Sequence, residues 1–238
     1  MKHDGNIAQA SLSPDIDPRS VPKVMIDWPV AFRLKPANLP ESNSFTAMGK
    51  NVEGLRALKN LTSPAARHGS GAVPLPLDVP PGTSRSVVSA FAGSLPEWRF
   101  ATREMAHMVL AASIPAAIAV AIEIYGQFMR DTSQSASTLS FQVERFHLKG
   151  KFADVADEEL FPACYDLTDS TVSQRLASSL NVQGEDGLVF ETGSGLAAIV
   201  LAPKLISRAG VERALALEWN GENFHRVYDY RDMYWRNL

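Results

Sequence analysis

The stretch GEDGLVFETGSGLAAIVLAP, Gly184 to Pro203, decides how the chain folds. Its apolar runs, Leu188 to Phe190 and Leu196 to Leu201, are each too short for a helix. The glycine-punctuated segment Glu191 to Gly195 separates them, so the pattern predicts strand, tight turn, strand. Downstream, ALALEWNGENFHRVYDY, Ala214 to Tyr230, predicts a hairpin turning at Asn220-Gly221. Upstream, TVSQRLASSL, Thr171 to Leu180, places Val172, Leu176 and Leu180 on one helical face behind Asp169 as N-cap.

Further upstream, Leu139, Phe141 and Val143 alternate with polar residues, which predicts a half-buried strand over Ser140 to Arg145. Ser113 followed by Pro115 is a helix start, and the Ala, Ile and Val residues from Pro115 to about Arg130 predict a buried helix. His107 to Ala112 reads as a short buried strand leading into it. Met105 to Ile122 has the length of a membrane span, but its many alanines, Pro115 and the flanking Glu104 and Glu123 favour that strand and helix instead.

The ordered domain therefore runs over 98–238 and opens at Trp98-Arg99-Phe100. Residues 23–97 read as an irregular, proline-rich arm that carries the first strand, Val24 to Leu34. Pro29 assigns that strand to a sheet edge. Between 35 and 97 one helix is expected, Asn51 to Asn60. Pro74 to Gly82 favours polyproline II, and the arm at 64–82 is expected to lie on the domain surface with little regular structure. Residues 1–22 read as a loose tail.

Composition narrows the function. With 45% hydrophobic and 21% charged residues, the chain can form a core. A net charge of −3 gives no electrostatic reason to bind nucleic acid. The single cysteine, Cys164, excludes an intramolecular disulfide and fits a reducing compartment as a small buried side chain. Five scattered histidines, at 3, 68, 107, 147 and 225, lack metal-binding spacing, so no metal is expected. The N-terminal MKHDGNIAQASLSPDID lacks the apolar core of a signal peptide, which together with the cysteine predicts a cytoplasmic location and no membrane partner. By itself the ETGSG segment reads as a β-turn rather than a phosphate cradle or nucleophile elbow.

The order of segments from Trp98 to Tyr230 resembles the RES domain family. The counterparts are Trp98-Arg99-Phe100, LAASIPAAIAVAIEIYG, TLSFQVERF, DLTDSTVSQRLASSL, GEDGLVFETGSG, AAIVLAP and EWNGENFHRV. Phe32-Arg33 resembles the aromatic-arginine pair near the start of such domains, with 36–96 as an enlarged insertion. The resemblance implies an α+β fold like that of ADP-ribosyltransferases, built on a mixed or antiparallel sheet, with NAD as substrate and a toxin's role beside an antitoxin-like partner. It also implies that Arg99 and Arg33 bind the diphosphate, that a glutamate stabilises the cationic sugar, and that a hydroxyl on the glycine-rich turn positions nicotinamide or ribose. This sequence departs from the pattern at two places. The family tyrosine falls at Val109 or Leu110, and the family glutamate falls at Val120 or Ala121. Glu123 is the nearest carboxylate, and Thr192, with Ser194 close by, takes the serine position. Two functions follow. One is an NAD glycohydrolase, phosphorylase or ADP-ribosyltransferase using Glu123, Thr192 and Ser194. The other is a catalytically degenerate scaffold that binds a protein partner or a second copy of itself.

Overall fold

The computed structural model describes residues 16–37, 83–92, 96–102 and 105–238. The expected helix at Asn51 to Asn60 and the proline-rich stretch at 64–82 lie outside them. Among the described residues, an eight-stranded, mostly antiparallel sheet packs with three α-helices, an α+β architecture. Its strands are β1 (Lys23–Pro36), β2 (Met108–Ala111), β3 (Ser137–Asp154), β4 (Gly187–Glu191), β5 (Leu196–Val200), β6 (Ile206–Trp219), β7 (Phe224–Asp229) and β8 (Tyr234–Asn237). The helices are α1 (Arg85–Ala92), α2 (Ile114–Asp131) and α3 (Thr171–Val182). No helix among the described residues is long and apolar enough to cross a membrane.

Strand β3 organises the rest. It pairs antiparallel with β1 and β6 and, at its end, parallel with β4. Since β1 also pairs with β2, β2 with β5, and β5 with β4, the strands β1-β2-β5-β4-β3 close a ring, and β6, β7 and β8 extend outward from β3. The expected position of the first strand at an edge is thus corrected, because β1 has neighbours on both sides. Its proline is accommodated by a different device: the β1–β3 register shifts between Trp28 and Ala31, at a bulge that spans Pro29.

β3 is three times as long as its alternation predicted, for a reason visible in burial. Leu139, Phe141 and Val143 bury the odd-numbered face under the apolar cluster shared with α2 and α3. Phe146, Leu148 and Phe152 bury the even-numbered face in a second cluster, which α1 joins through Val87, Ala90 and Phe91. The buried face changes midway, so a single alternating pattern stops there although the strand continues. Helix α1 itself was not expected.

Helix α2 begins as expected: Ser113 is extended, its Oγ accepts from Ala116 N at 3.2 Å, and Pro115 lies in the first turn. The small Ala116, Ala117 and Ala121 are fully buried, which lets the helix lie close to the sheet. In α3 the N-cap is Ser170, not Asp169. Asp169 acts one position earlier, accepting from Thr171 N at 2.9 Å. The hairpin turn is Asn220 to Asn223, four residues rather than two, because Asn220 Oδ1 accepts from both Glu222 N and Asn223 N at 2.9 Å.

The deciding stretch forms the β4–β5 hairpin, and one glycine makes it possible. Gly187 has φ of +144°, and a Cβ there would stand 1.9 Å from the Ile199 carbonyl oxygen across the ladder. Gly187→Ala is therefore expected to lower stability by at least ~3 kcal/mol in urea unfolding, against about 1 kcal/mol for Gly193→Ala, which has a positive φ but open space around it. Equal losses for the two would show that the close approach is not what requires glycine.

Candidate active site

Arg99 sits in a tight turn closed by a reciprocal pair of hydrogen bonds between Trp98 and Ala101. Helix α3 fixes that turn from below: Gln174 Nε2 donates to Trp98 O at 3.0 Å and Ser173 Oγ donates to Arg99 O. The side chain, 7% exposed, enters an aromatic box. Its guanidinium carbon is 4.9 Å from the Phe100 ring centre, 5.1 Å from Tyr165 and 5.3 Å from Phe190. The ring faces carry negative potential, so they favour the cation that burial penalises.

From α2, Glu123 reaches the same box, and its Oε2 accepts from Arg99 Nη2 at 2.9 Å. Its side chain is 23% exposed. Burial raises the Glu123 pKa above the ordinary carboxylate value, and the Arg99 charge opposes that shift. Arg99 Nε and Glu123 Oε1 are buried and have no hydrogen-bond partner among the described residues, so each member leaves one polar atom unsatisfied. Cys164 lies in the field of Arg99, and burial pushes its thiol up to about 11, which leaves it protonated and chemically quiet.

Tyr165, which sequence reasoning missed, connects this pair to the glycine-rich turn. While its ring faces Arg99, its hydroxyl donates to Val155 O and accepts from Glu191 N, both at 2.9 Å. The turn after Glu191 is the β-turn read from the sequence, and its backbone donors are already taken. Glu191 Oε1 accepts from the backbone N–H of Thr192, Gly193 and Gly195 at 2.9–3.0 Å, filling the nest those groups form. Thr192 Oγ1 is occupied within the turn, donating to Gly195 O at 2.7 Å and accepting from Ser194 N at 3.2 Å. The carboxylate that precedes Thr-Gly-Ser-Gly was the one signal for this arrangement.

The candidate residues thus form one group and two outliers. Arg99 and Glu123 touch, and the Thr192 turn joins them through Tyr165. Ser194 lines a separate cleft beside Ser113 and α2. Arg33 lies elsewhere: directly opposite Glu144 across β1 and β3, its Nη1 is 3.5 Å from Glu144 Oε2, and Ser86 of α1 donates to Glu144 Oε1 at 3.0 Å. Buried His107 is close enough to feel the Arg33 charge, and its Nδ1 meets Met105 O at 2.7 Å. Among the described residues no group of three His, Cys, Asp or Glu side chains could hold a metal ion.

No family model matches the chain, and no curated protein matches it. Among solved structures, a chain of the M. tuberculosis MbcT–MbcA toxin–antitoxin complex is similar over 83% of this chain and 87% of its own, with 14% identity and a TM-score of 0.38. A likeness at that level assigns neither a family nor an activity.

Two outcomes follow from the buried charges. Glu123→Gln leaves the Arg99 cation enclosed without a counter-charge and is expected to cost about 3 kcal/mol in urea unfolding, whereas the double change Arg99→Met with Glu123→Leu should recover most of that loss. A double variant as unstable as the single one would mean that the aromatic box, not the charge pair, sets the cost. Burial lowers the His107 pKa from 6.5 to about 4, so the unfolded chain binds the proton more tightly. Its contribution to stability, about 3 kcal/mol, is complete above pH 6.5 and is lost as pH falls towards 4. The same titration of His107→Gln should lack that component of the acid-side decline.

Proposed function

We propose that the chain acts on NAD, cleaving the nicotinamide–ribose bond or transferring ADP-ribose, as its resemblance to RES domains implies. The supporting observation is the 2.9 Å contact between Arg99 and Glu123, two residues far apart in sequence that the resemblance assigned to one dinucleotide. Arg99 exchanges its carboxylate partner for the NAD diphosphate, which offers the guanidinium more than one anionic oxygen. Glu123, released, places its charge beside the anomeric carbon, where the breaking glycosidic bond develops an oxocarbenium-like cation. Tyr165 supplies from the Pro162–Cys164 turn the phenol absent at Val109 and Leu110. In a cell such an enzyme is a toxin, and an antitoxin-like protein is its natural partner.

A second reading is supported by the burial of Arg99, whose charge Glu123 already neutralises. In it the pair is an internal strut and the domain is a degenerate scaffold that binds a protein. Incubating the purified protein with NAD and following nicotinamide release separates the two. Release is expected from the wild-type protein, a loss of at least about a hundredfold in Glu123→Gln, and a smaller loss in Tyr165→Phe, with circular dichroism confirming that both variants are folded. Because Glu123 must be ionised to act and its pKa is raised, the rate should fall on the acid side at a higher pH than an exposed glutamate would give. No release from folded wild-type protein would replace the enzyme with the scaffold.

A further inference from the structure

Away from the Arg99 pair, an open cleft of about 730 Å³ runs between α2 and the β6-β7-β8 end of the sheet, within the size range of small-molecule sites. Its two walls differ in chemistry. Ile114, Pro115, Ile118 and Ile122 of α2 make one wall apolar, and Phe32 of β1 extends it. From the sheet side, Arg213 of β6 and Arg236 of β8 also line the cleft.

These two arginines share one carboxylate. Asp229, whose side chain is 1% exposed, has its Oδ2 at 2.7 Å from Arg213 Nη1 and 3.8 Å from Arg236 Nη2. Its other oxygen accepts from Arg231 N at 2.9 Å. Other arginines at this end of the sheet meet different carboxylates: Arg226 pairs with Glu218, and Arg231 shares Glu212 with Arg145. Among the described side chains, the Arg213–Asp229–Arg236 group therefore holds two cations on one carboxylate. Arg213 Nε, buried, has no hydrogen-bond partner among the described residues. A cation held rigidly by a buried carboxylate, in the same cleft as an apolar wall, is preorganised for a ligand that has both an anionic head and an apolar body.

We propose that this cleft binds a small amphipathic anion, with Arg213 and Arg236 taking the head group and the α2 wall taking the apolar body. Arg99 and Glu123 do not line the cleft, although Ser194 of the glycine-rich turn does, and the proposal does not rest on action on NAD. Phosphate, sulfonate and carboxylate heads meet the same donors, so the recognised chemistry is an anion joined to an apolar group.

The test uses octyl phosphate as probe in isothermal titration calorimetry with the full chain, and octanol and inorganic phosphate as halves of it. Octyl phosphate is expected to bind at least about tenfold tighter than either half, since each charge-assisted hydrogen bond and each buried methylene contributes separately. Arg236→Gln leaves the Arg213–Asp229 pair intact and should weaken octyl phosphate by roughly tenfold without changing octanol. Ala119→Phe fills the cleft from α2 and should remove binding of both, with an unchanged melting temperature confirming the fold. Octyl phosphate binding no tighter than octanol, or binding equally to all three proteins, overturns the proposal. Competition by NAD would also overturn it, because the cleft would then belong to the dinucleotide site.

Discussion

The pairing of β1 with β3 is the constraint on which the other elements depend. Twelve residue pairs join them, from Lys23 opposite Ala153 to Pro36 opposite Phe141. Without this ladder, β1 would touch the sheet through Phe32 and Ala111 alone, and the ring would open between β1 and β2. The ladder also sets Arg33 opposite Glu144, and through Ser86 that carboxylate tethers α1 over the second apolar cluster. Backbone hydrogen bonding between distant segments thus fixes where a helix docks and which side chains become buried.

Arg99, which is buried, and Arg33, which is half-buried, obey one rule: each cation is brought inside with a carboxylate. Arg33 has Glu144 and Arg99 has Glu123, each pair spanning two elements that are remote in sequence. Enclosed pairs of this kind contribute little net stability, because desolvation offsets most of their attraction, but each fixes one arrangement of the elements it joins. In the Arg99 pair the aromatic rings of Phe100, Tyr165 and Phe190 take the place of water around the cation. Any anion that competes for that guanidinium meets it already oriented.

The β4–β5 hairpin, α2 and the β6–β7 hairpin were legible because each carries its own local signal: glycine punctuation, a Ser113–Pro115 start, and Asn220-Gly221 with flanking alternation. β1 as an interior strand was not legible, since Pro29 argues for an edge and the bulge that accommodates it is defined only by the pairing with β3. The second half of β3 was hidden because its buried face is opposite to that of the first half. In the candidate site, Arg99 and Glu123 were named by resemblance and do meet. Tyr165 and Glu144 were missed, as a phenol in a turn and a glutamate in a strand have no meaning until the fold sets an arginine beside them.

Ring closure also governs the order in which the molecule can assemble. Every β1 partner on β3 lies more than a hundred residues further along the chain. During synthesis the apolar strand must remain unpaired until β3 has emerged. Closing a loop of that length costs conformational entropy before any ladder bond repays it, which places the step late and makes it slow. Meanwhile β1 exposes an unsatisfied edge that a second nascent chain could pair with. Pro29, which has no N–H to donate, interrupts that waiting edge and limits the length of any intermolecular sheet it could template.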